Sequence, residues 1–214
     1  MTARGALRRA VRDLYDQSWR LLILNTLLGF TAVGIAWAAL HALPALLLGL
    51  LLGPPAAALM HCAITLVREG DLRLADAFEG LRLHWRRGLA LGALAGAAAV
   101  LTVVALRFYA DAGPSAWPLA MLVLYLALLF AVFQLPLWTL AVLEHEQPFR
   151  GVLADAGLAL LRRPAAWTGL AVVLFLVNLS GIAAAVLPFL TLTIAYSFLA
   201  AARFALPRDP TPEA

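Results

Sequence analysis

Histidine and cysteine are the side chains of this sequence best suited to metal binding or nucleophilic chemistry. His61 and Cys62 are adjacent in an apolar stretch, and the other histidines are His41, His84 and His145. Neighbouring residues of a helix point about 100° apart, so His61 and Cys62 cannot readily share a ligand. A zinc site would need the other histidines, which fall in a turn and in segments predicted at the membrane interface. We therefore expect packing or hydrogen bonding here, with no metal site.

Sequence motifs of common hydrolases and nucleotide-binding enzymes are absent. The chain contains no His-Glu-x-x-His, no Gly-x-Ser-x-Gly and no phosphate-binding glycine loop. An intramembrane enzyme would require a reactive His61 or Cys62. We predict no catalytic residues, no enzymatic activity and no cofactor.

A second set of candidates comprises polar side chains within predicted membrane spans. One such residue lies in each of five spans: Asn25, His61, Gln134, Asn178 and Tyr196. Polar groups in lipid usually face the bundle interior, so the five could line a hydrophilic pocket. The alternative, which we favour, is hydrogen bonding between helices, at about 0.6 kcal/mol per contact. No carboxylate lies within a span, which argues against an acidic proton relay.

The elements that position these residues follow from composition. Of the 214 residues, 64% are hydrophobic and 13% are charged, against roughly a quarter charged in soluble domains. The net charge is +4, but the arginines flank apolar stretches instead of forming a stripe, which favours lipid phosphates over nucleic acid as counter-charge. We predict an all-α, polytopic integral membrane protein with one domain over residues 1–214.

Arginine positions predict the topology. There are sixteen arginines and no lysine, and pairs of long apolar stretches separate four arginine clusters. The positive-inside rule places all four clusters, and both termini, in the cytoplasm. Arginine in place of lysine, with abundant alanine and leucine, indicates a bacterial genome, hence the bacterial cytoplasmic membrane. The principal interfacial and topogenic arginines are Arg82, Arg86, Arg87, Arg162 and Arg163.

Six spans, each long enough to cross a bilayer, are predicted as three hairpins. The spans cover residues 21–40, 43–67, 88–109, 117–143, 165–184 and 188–206. Cytoplasmic amphipathic helices are predicted at the interface, at 5–18, 71–87 and 148–163. The sequence Leu-Ala-Asp-Ala starts both at Leu74 and at Leu153, which indicates an internal repeat of interfacial helix and hairpin.

Glycine and proline mark two further features of the predicted spans. Helix breaks or kinks are expected at Gly53, Pro54, Pro55 and Pro136. A stripe of glycines at four-residue spacing should allow close approach to another helix, and its members are Gly88, Gly92 and Gly96.

The segment GPPAAALMHCAITLVREGDLRLADAFEGLRLHWRRGLALG combines a Gly-Pro break, a basic exit, an amphipathic helix and a basic re-entry. It resembles the bacterial YesL-like family of unknown function, with the similarity extending from about Trp19 to Arg203. The resemblance implies a six-span inner-membrane protein, in a family often encoded beside carbohydrate ABC transporters. It transfers no catalytic residues.

These observations lead to two hypotheses about function. The first is a non-enzymatic accessory or scaffold protein of a solute (carbohydrate) uptake system, with the lipid bilayer and transporter subunits as partners and no nucleic acid. The alternative is a small-solute transporter or channel in its own right, with the intramembrane polar residues forming its path.

Overall fold

The computed structural model describes residues 3–16, 18–41, 43–183 and 192–206, and the prediction of an all-α fold is confirmed there, with no strand in the described part. Two 3₁₀ segments, Leu43–Leu52 and Pro114–Ala116, accompany the α-helices. The helices are α1 (Ala3–Asp16), α2 (Ser18–His41), α3 (Gly53–Glu69), α4 (Leu74–Asp111), α5 (Trp117–Leu143), α6 (Phe149–Arg162), α7 (Pro164–Ala183) and α8 (Ile194–Ala205).

Several of these helices are compatible with a membrane location. Within the described residues, four helical segments are long and apolar enough to cross a bilayer: Leu48–Glu69, Leu74–Asp111, Pro114–Leu143 and Pro164–Ala183. The number would be five if the pair α1 and α2, bent by 101°, were counted as one broken span. Helix α8 has 12 residues, fewer than the roughly 20 that a span requires. The predicted turn between the last two spans, at 184–188, lies outside the described residues.

Helix α4 differs from the prediction of an interfacial helix at 71–87 followed by a separate span at 88–109. It is one uninterrupted helix of 38 residues, about 57 Å long at about 1.5 Å per residue. The physical reason is the absence of proline between Leu72 and Ala112, so nothing removes a backbone donor within the segment. The carboxylate of Asp76 starts the helix by accepting a hydrogen bond from the backbone N–H of Arg73 at 2.7 Å.

The second copy of the repeat is divided where the first is continuous. Helix α6 occupies the range predicted for an interfacial helix at 148–163, and α7 begins at Pro164. The residue before a proline is disfavoured in the helical conformation, and Arg163 has φ −141° and ψ 56°. Pro164 therefore separates the two helices, and the repeat is preserved in sequence but not in helix continuity.

The predicted breaks have different outcomes. At Gly53 the chain changes from the 3₁₀ segment to α3, with Pro54 and Pro55 in the first turn, where proline needs no helical donor. At Pro136 the helix is not divided, because α5 continues through this residue from Trp117 to Leu143. A proline removes only one backbone donor, and the turns on either side can hold the helix together.

The core is built around α3 and α8, whose inward positions are mainly alanine and leucine. Helix α1 packs on α8 through the buried Ala6 and Ala10, and Asp13 forms an ion pair with Arg203 at 2.7 Å. A smaller cluster joins α4, α5 and α6 around Leu91, Leu137, Ala141, Val152 and Ala156. The larger cluster therefore holds α1, α2, α3, α7 and α8 together, and the smaller one holds α6 against α4 and α5.

Candidate functional site

Helices α3 and α4 cross closely because glycines lie at their contact. A Cβ atom built on Gly88 would lie 2.6 Å from the Cα of Pro54, and one on Gly92 would lie 2.9 Å from the carbonyl oxygen of Leu50. Side chains larger than hydrogen therefore have no room at either position. Gly96 has no neighbouring atom within 4 Å of such a Cβ, so only two glycines of the predicted stripe pack in this way.

Towards the N-terminus of α4, the four-residue spacing continues from Gly88 through His84 to Gly80. A Cβ on Gly80 would lie 2.9 Å from the Cβ of His61 in α3. Residues four apart share a helix face, so Gly80, His84 and Gly88 all face α3. Close packing at the two glycines therefore places the imidazole of His84 against α3.

Three of the four histidines meet at this crossing. Nδ1 of His61 lies 3.2 Å from Nε2 of His84, and the two ring centroids are 5.2 Å apart. His145, just beyond the end of α5, has its ring centroid 5.8 Å from that of His84, in an edge-on arrangement. His84 is 1% exposed, and its Nδ1 atom is buried without a hydrogen-bond partner among the described residues.

The histidines line a cavity of about 340 Å³ that also contains charged side chains. Three carboxylates, from Glu69, Asp76 and Glu79, face one guanidinium, from Arg68. Such a cavity favours cations over anions. Within the described residues, no three His, Cys, Asp or Glu side chains stand close enough together to hold a metal ion as they are placed.

Arg87 fixes the segment that carries His145. Its guanidinium donates to the carbonyl oxygens of Ala141 at 3.1 Å and Glu144 at 2.9 Å, and also to that of Gln147. These carbonyls belong to the last turn of α5 and the connection to α6, where helix termini leave unsatisfied acceptors. Arg87, predicted as topogenic, therefore also caps α5. The other four predicted arginines, Arg82, Arg86, Arg162 and Arg163, are exposed.

The five intramembrane polar residues do not form one group. The side-chain oxygen of Asn25 accepts from the backbone N–H of Ala195 at 2.7 Å, and Asn178 donates to the Ser197 hydroxyl at 2.8 Å. The Tyr196 hydroxyl donates to the carbonyl oxygen of Leu7 at 3.4 Å. These contacts connect α8 to α2, α7 and α1. The arrangement favours hydrogen bonding between helices over a shared pocket.

Gln134 is placed differently from the other four. It lines a groove of about 390 Å³ between α4 and α5, and both polar atoms of its amide are buried without a partner among the described residues. The remaining lining residues are mostly small: Ala95, Ala98, Ala99, Thr102, Val103, Ala127, Phe130 and Ala131. His61 and Asn178 line two other cavities, so these three polar residues belong to separate sites.

The histidine cluster was not predicted from the sequence, although a signal for it existed. His61, His84 and His145 all lie near cytoplasmic ends of predicted spans, and His84 continues the glycine spacing of Gly88 and Gly92. Cys62, the neighbour that drew attention to His61, is buried and does not line the cavity.

No protein-family model, curated protein or solved structure matches the chain.

Proposed function

We propose that this chain is a non-enzymatic accessory protein of a solute-uptake system in the bacterial cytoplasmic membrane. It would have six spans in three hairpins, with both termini in the cytoplasm. The arginine clusters support this topology. The resemblance of Gly53–Trp85 to the YesL-like family supports carbohydrate uptake as the process.

The observation that most strongly supports the proposal is the side-chain amide of Gln134, which is buried without a hydrogen-bond partner among the described residues. A side-chain amide has two donors and an acceptor, and leaving them unpaired in a nonpolar environment is costly. The groove around it is lined with alanine, which allows another helix to approach closely. A polar side chain on a helix of the uptake system would satisfy the amide.

The surface around this groove is suited to association within the membrane. None of the residues in the most apolar stretch of the Pro114–Leu143 segment is buried within the chain. Its exposed side chains include Trp117, Met121, Leu122 and Tyr125. Helix α5 also packs against α3, α6, α7 and α8, but its exposed side chains between Trp117 and Leu129 are left for lipid or for a partner.

The hydrogen bonds of Asn25, Asn178 and Tyr196 support an accessory role over transport. Each connects two helices of the same bundle, and Gln134 and His61 lie in separate cavities. A transport path would require several of these groups to face a common space.

Photo-crosslinking in cells that express the neighbouring uptake system tests the proposal. A photoreactive amino acid at Val103 would lie in the groove, and one at Leu101 would lie at similar depth on the opposite side of α4. We expect Val103 to crosslink to a transporter subunit identified by mass spectrometry, and Leu101 to crosslink mainly to lipid. Replacement Gln134→Leu should weaken the association by about 5–30-fold, because a hydrogen bond between membrane helices contributes about 1–2 kcal/mol.

Three results would contradict the accessory role. Crosslinking of Val103 only to a second copy of this chain would indicate a homo-oligomer. Equal products from Val103 and Leu101 would show that the groove has no specific occupant. Solute uptake by the purified chain in liposomes would indicate a transporter.

A further inference from the structure

We propose that the histidine cavity binds a small organic cation in which two ammonium groups are joined by an alkyl chain. One ammonium group would donate to Nδ1 of His84, and the other would donate to the side-chain oxygen of Gln147 in an adjoining cavity. Carboxylates of both cavities would balance the two charges. The site goes beyond the proposed accessory role and does not depend on the groove at Gln134.

The first unpaired acceptor is Nδ1 of His84. This residue lines the cavity and is 1% exposed, and its Nε2 atom lies 3.2 Å from Nδ1 of His61. With the proton of this contact on Nε2 of His84, its Nδ1 atom is an acceptor, and it has no partner among the described residues. Leaving a buried acceptor unpaired costs free energy, which an N–H group of a ligand would offset.

The second unpaired acceptor is Oε1 of Gln147. The amide nitrogen of this side chain donates to the carboxylate of Asp155 at 2.9 Å, which identifies the other amide atom as the oxygen. That oxygen is buried without a partner in the described part of the chain. Gln147 lines a cavity of about 470 Å³, which shares Leu143 and His145 with the histidine cavity. The two unpaired acceptors therefore belong to adjoining cavities.

The charges of the two cavities favour a cation. Six carboxylates from the described residues line them, against the guanidinium of Arg68. These carboxylates belong to Glu69, Asp76, Glu79, Glu144, Glu146 and Asp155. Arg87 lies nearby, but its guanidinium donates to backbone carbonyls at the end of α5. Because a cleft lined by one sign of charge concentrates ions of the opposite sign, two ammonium groups suit this surface.

The spacing of the polar groups suits ammonium better than a metal ion. Within the described part of the chain, no three His, Cys, Asp or Glu side chains converge closely enough to coordinate a metal. Zinc needs its ligands at about 2.0–2.2 Å. An ammonium group donates in three directions and reaches charged acceptors at about 2.7–2.9 Å. Acceptors that are too far apart for a metal can therefore share one ammonium group.

Apolar side chains form the rest of the histidine cavity, and they suit an alkyl chain. Ile64, Leu83, Val142 and Leu143 all line it, and contact with them would remove methylene groups from water. The amine of a phospholipid headgroup also carries a phosphate, which the carboxylates would repel. The lining therefore favours a free alkyl diamine. The volume of about 340 Å³ lies within the range of about 300–1,000 Å³ usual for small-molecule sites.

Isothermal titration calorimetry of the purified full-length protein in an uncharged detergent tests the proposal. Putrescine carries an ammonium group at each end of its carbon chain, and butylamine has the same chain with an ammonium group at one end only. We expect putrescine to bind at one molecule per chain. Butylamine should bind at least about tenfold more weakly, because it lacks one hydrogen bond from a charged donor. An equal concentration of Mg²⁺ should not displace putrescine.

Three substitutions locate the site. His84→Phe removes the buried acceptor but keeps an aromatic ring, so putrescine should bind at least about tenfold more weakly. Gln147→Leu should reduce the preference for putrescine over butylamine, because it removes the acceptor for the second ammonium group. Glu79→Gln should weaken putrescine binding several-fold. Asp111→Asn is the matched control, since it neutralises an exposed carboxylate at the opposite end of α4, and it should bind as tightly as the original chain.

Glu79→Gln also separates ligand loss from misfolding. The Glu79 side chain is exposed, so this variant should keep the original thermal unfolding midpoint. The proposal is overturned if putrescine shows no stoichiometric site, if butylamine binds equally well, or if Mg²⁺ displaces putrescine. Original affinity in His84→Phe or Glu79→Gln, an unchanged preference for putrescine in Gln147→Leu, or equal weakening in Asp111→Asn would also overturn it.

Discussion

At Gly88 the single hydrogen of the side chain determines how closely two helices approach. A methyl group there would lie 2.6 Å from the Cα of Pro54, and backbone atoms cannot move aside as a flexible side chain can. We expect Gly88→Ala to lower the free energy of unfolding by about 1–3 kcal/mol, the usual cost of overpacking a core. Thermal unfolding in detergent would measure the loss.

Gly96 provides a control on the same helix face. A methyl group there would meet no atom within 4 Å, and alanine is the better helix former. Gly96→Ala should therefore unfold at the same temperature as the original chain or higher. Equal destabilisation by the two substitutions would show that helix propensity, and not the contact with Pro54, determines the effect.

The sequence predicted the packing of Gly88 and Gly92 but not the position of His84. Four-residue spacing identifies residues on one helix face, which is a local property. Whether His84 meets His61 depends on the register of two antiparallel helices, and tertiary contacts such as that between Gly80 and His61 set this register. The predicted membrane side and depth of each histidine could have indicated that the three lie near one another. They could not have given the distances between them.

Among the helices, the C-terminus of α5 is stabilised by hydrogen bonds from a residue of α4. The Arg87 guanidinium donates to the carbonyl oxygens of Ala141, Glu144 and Gln147. Arg87→Ala should reduce stability by about 1.5–3 kcal/mol, as expected for hydrogen bonds to a charged group. Hydrogen–deuterium exchange should increase in the α5–α6 connection.

Arg86→Ala removes the same charge one residue away and serves as the control. The Arg86 side chain is exposed and lies over the ring of Trp85 at 5.2 Å, so its loss should cost less than about 1 kcal/mol. If the amide hydrogens of the α5–α6 connection exchange equally fast in the two variants, the capping role assigned to Arg87 is wrong.

Helix continuity was the part of the fold that the sequence predicted least well. Polar composition at 71–87 suggested a helix apart from the next span, yet without proline α4 runs through both. In the second copy, Pro164 divides the helices as predicted. Composition indicates whether a segment contacts lipid or water, whereas helix boundaries depend on residues that remove a donor or restrict φ.

In the whole molecule, the first and last described helices, α1 and α8, pack against each other. Asp13 in α1 pairs with Arg203 in α8, with side chains 17% and 14% exposed. This adjacency places α1 and the end of α8 on one side of the bundle. It supports an even number of crossings between them, as the proposed topology requires.

Asp13→Arg should release α1 from α8, because it places a second cation beside Arg203. Limited proteolysis would then cut between α1 and α2 at least several-fold faster than in the original chain. The double variant Asp13→Arg, Arg203→Asp restores opposite charges and should recover much of the resistance. Equal cleavage of the single and double variants would mean that the ion pair does not hold α1, and that the apolar contacts of Ala6 and Ala10 and the hydrogen bond from Tyr196 to Leu7 do.

The three-hairpin topology requires the α4–α5 turn and the α6–α7 junction to lie on opposite sides of the membrane. Ser115 and Arg163 are exposed at these two places, and Cys62 is the only cysteine. In a Cys62→Ala background, we expect Ser115→Cys to react with a membrane-impermeant maleimide in cells with a permeable outer envelope and an intact cytoplasmic membrane. Arg163→Cys should react only after that membrane is disrupted, because a charged reagent cannot cross the hydrocarbon region. Reaction of both cysteines from outside would place the histidine cavity on the external side and exclude the arrangement derived from the arginine clusters.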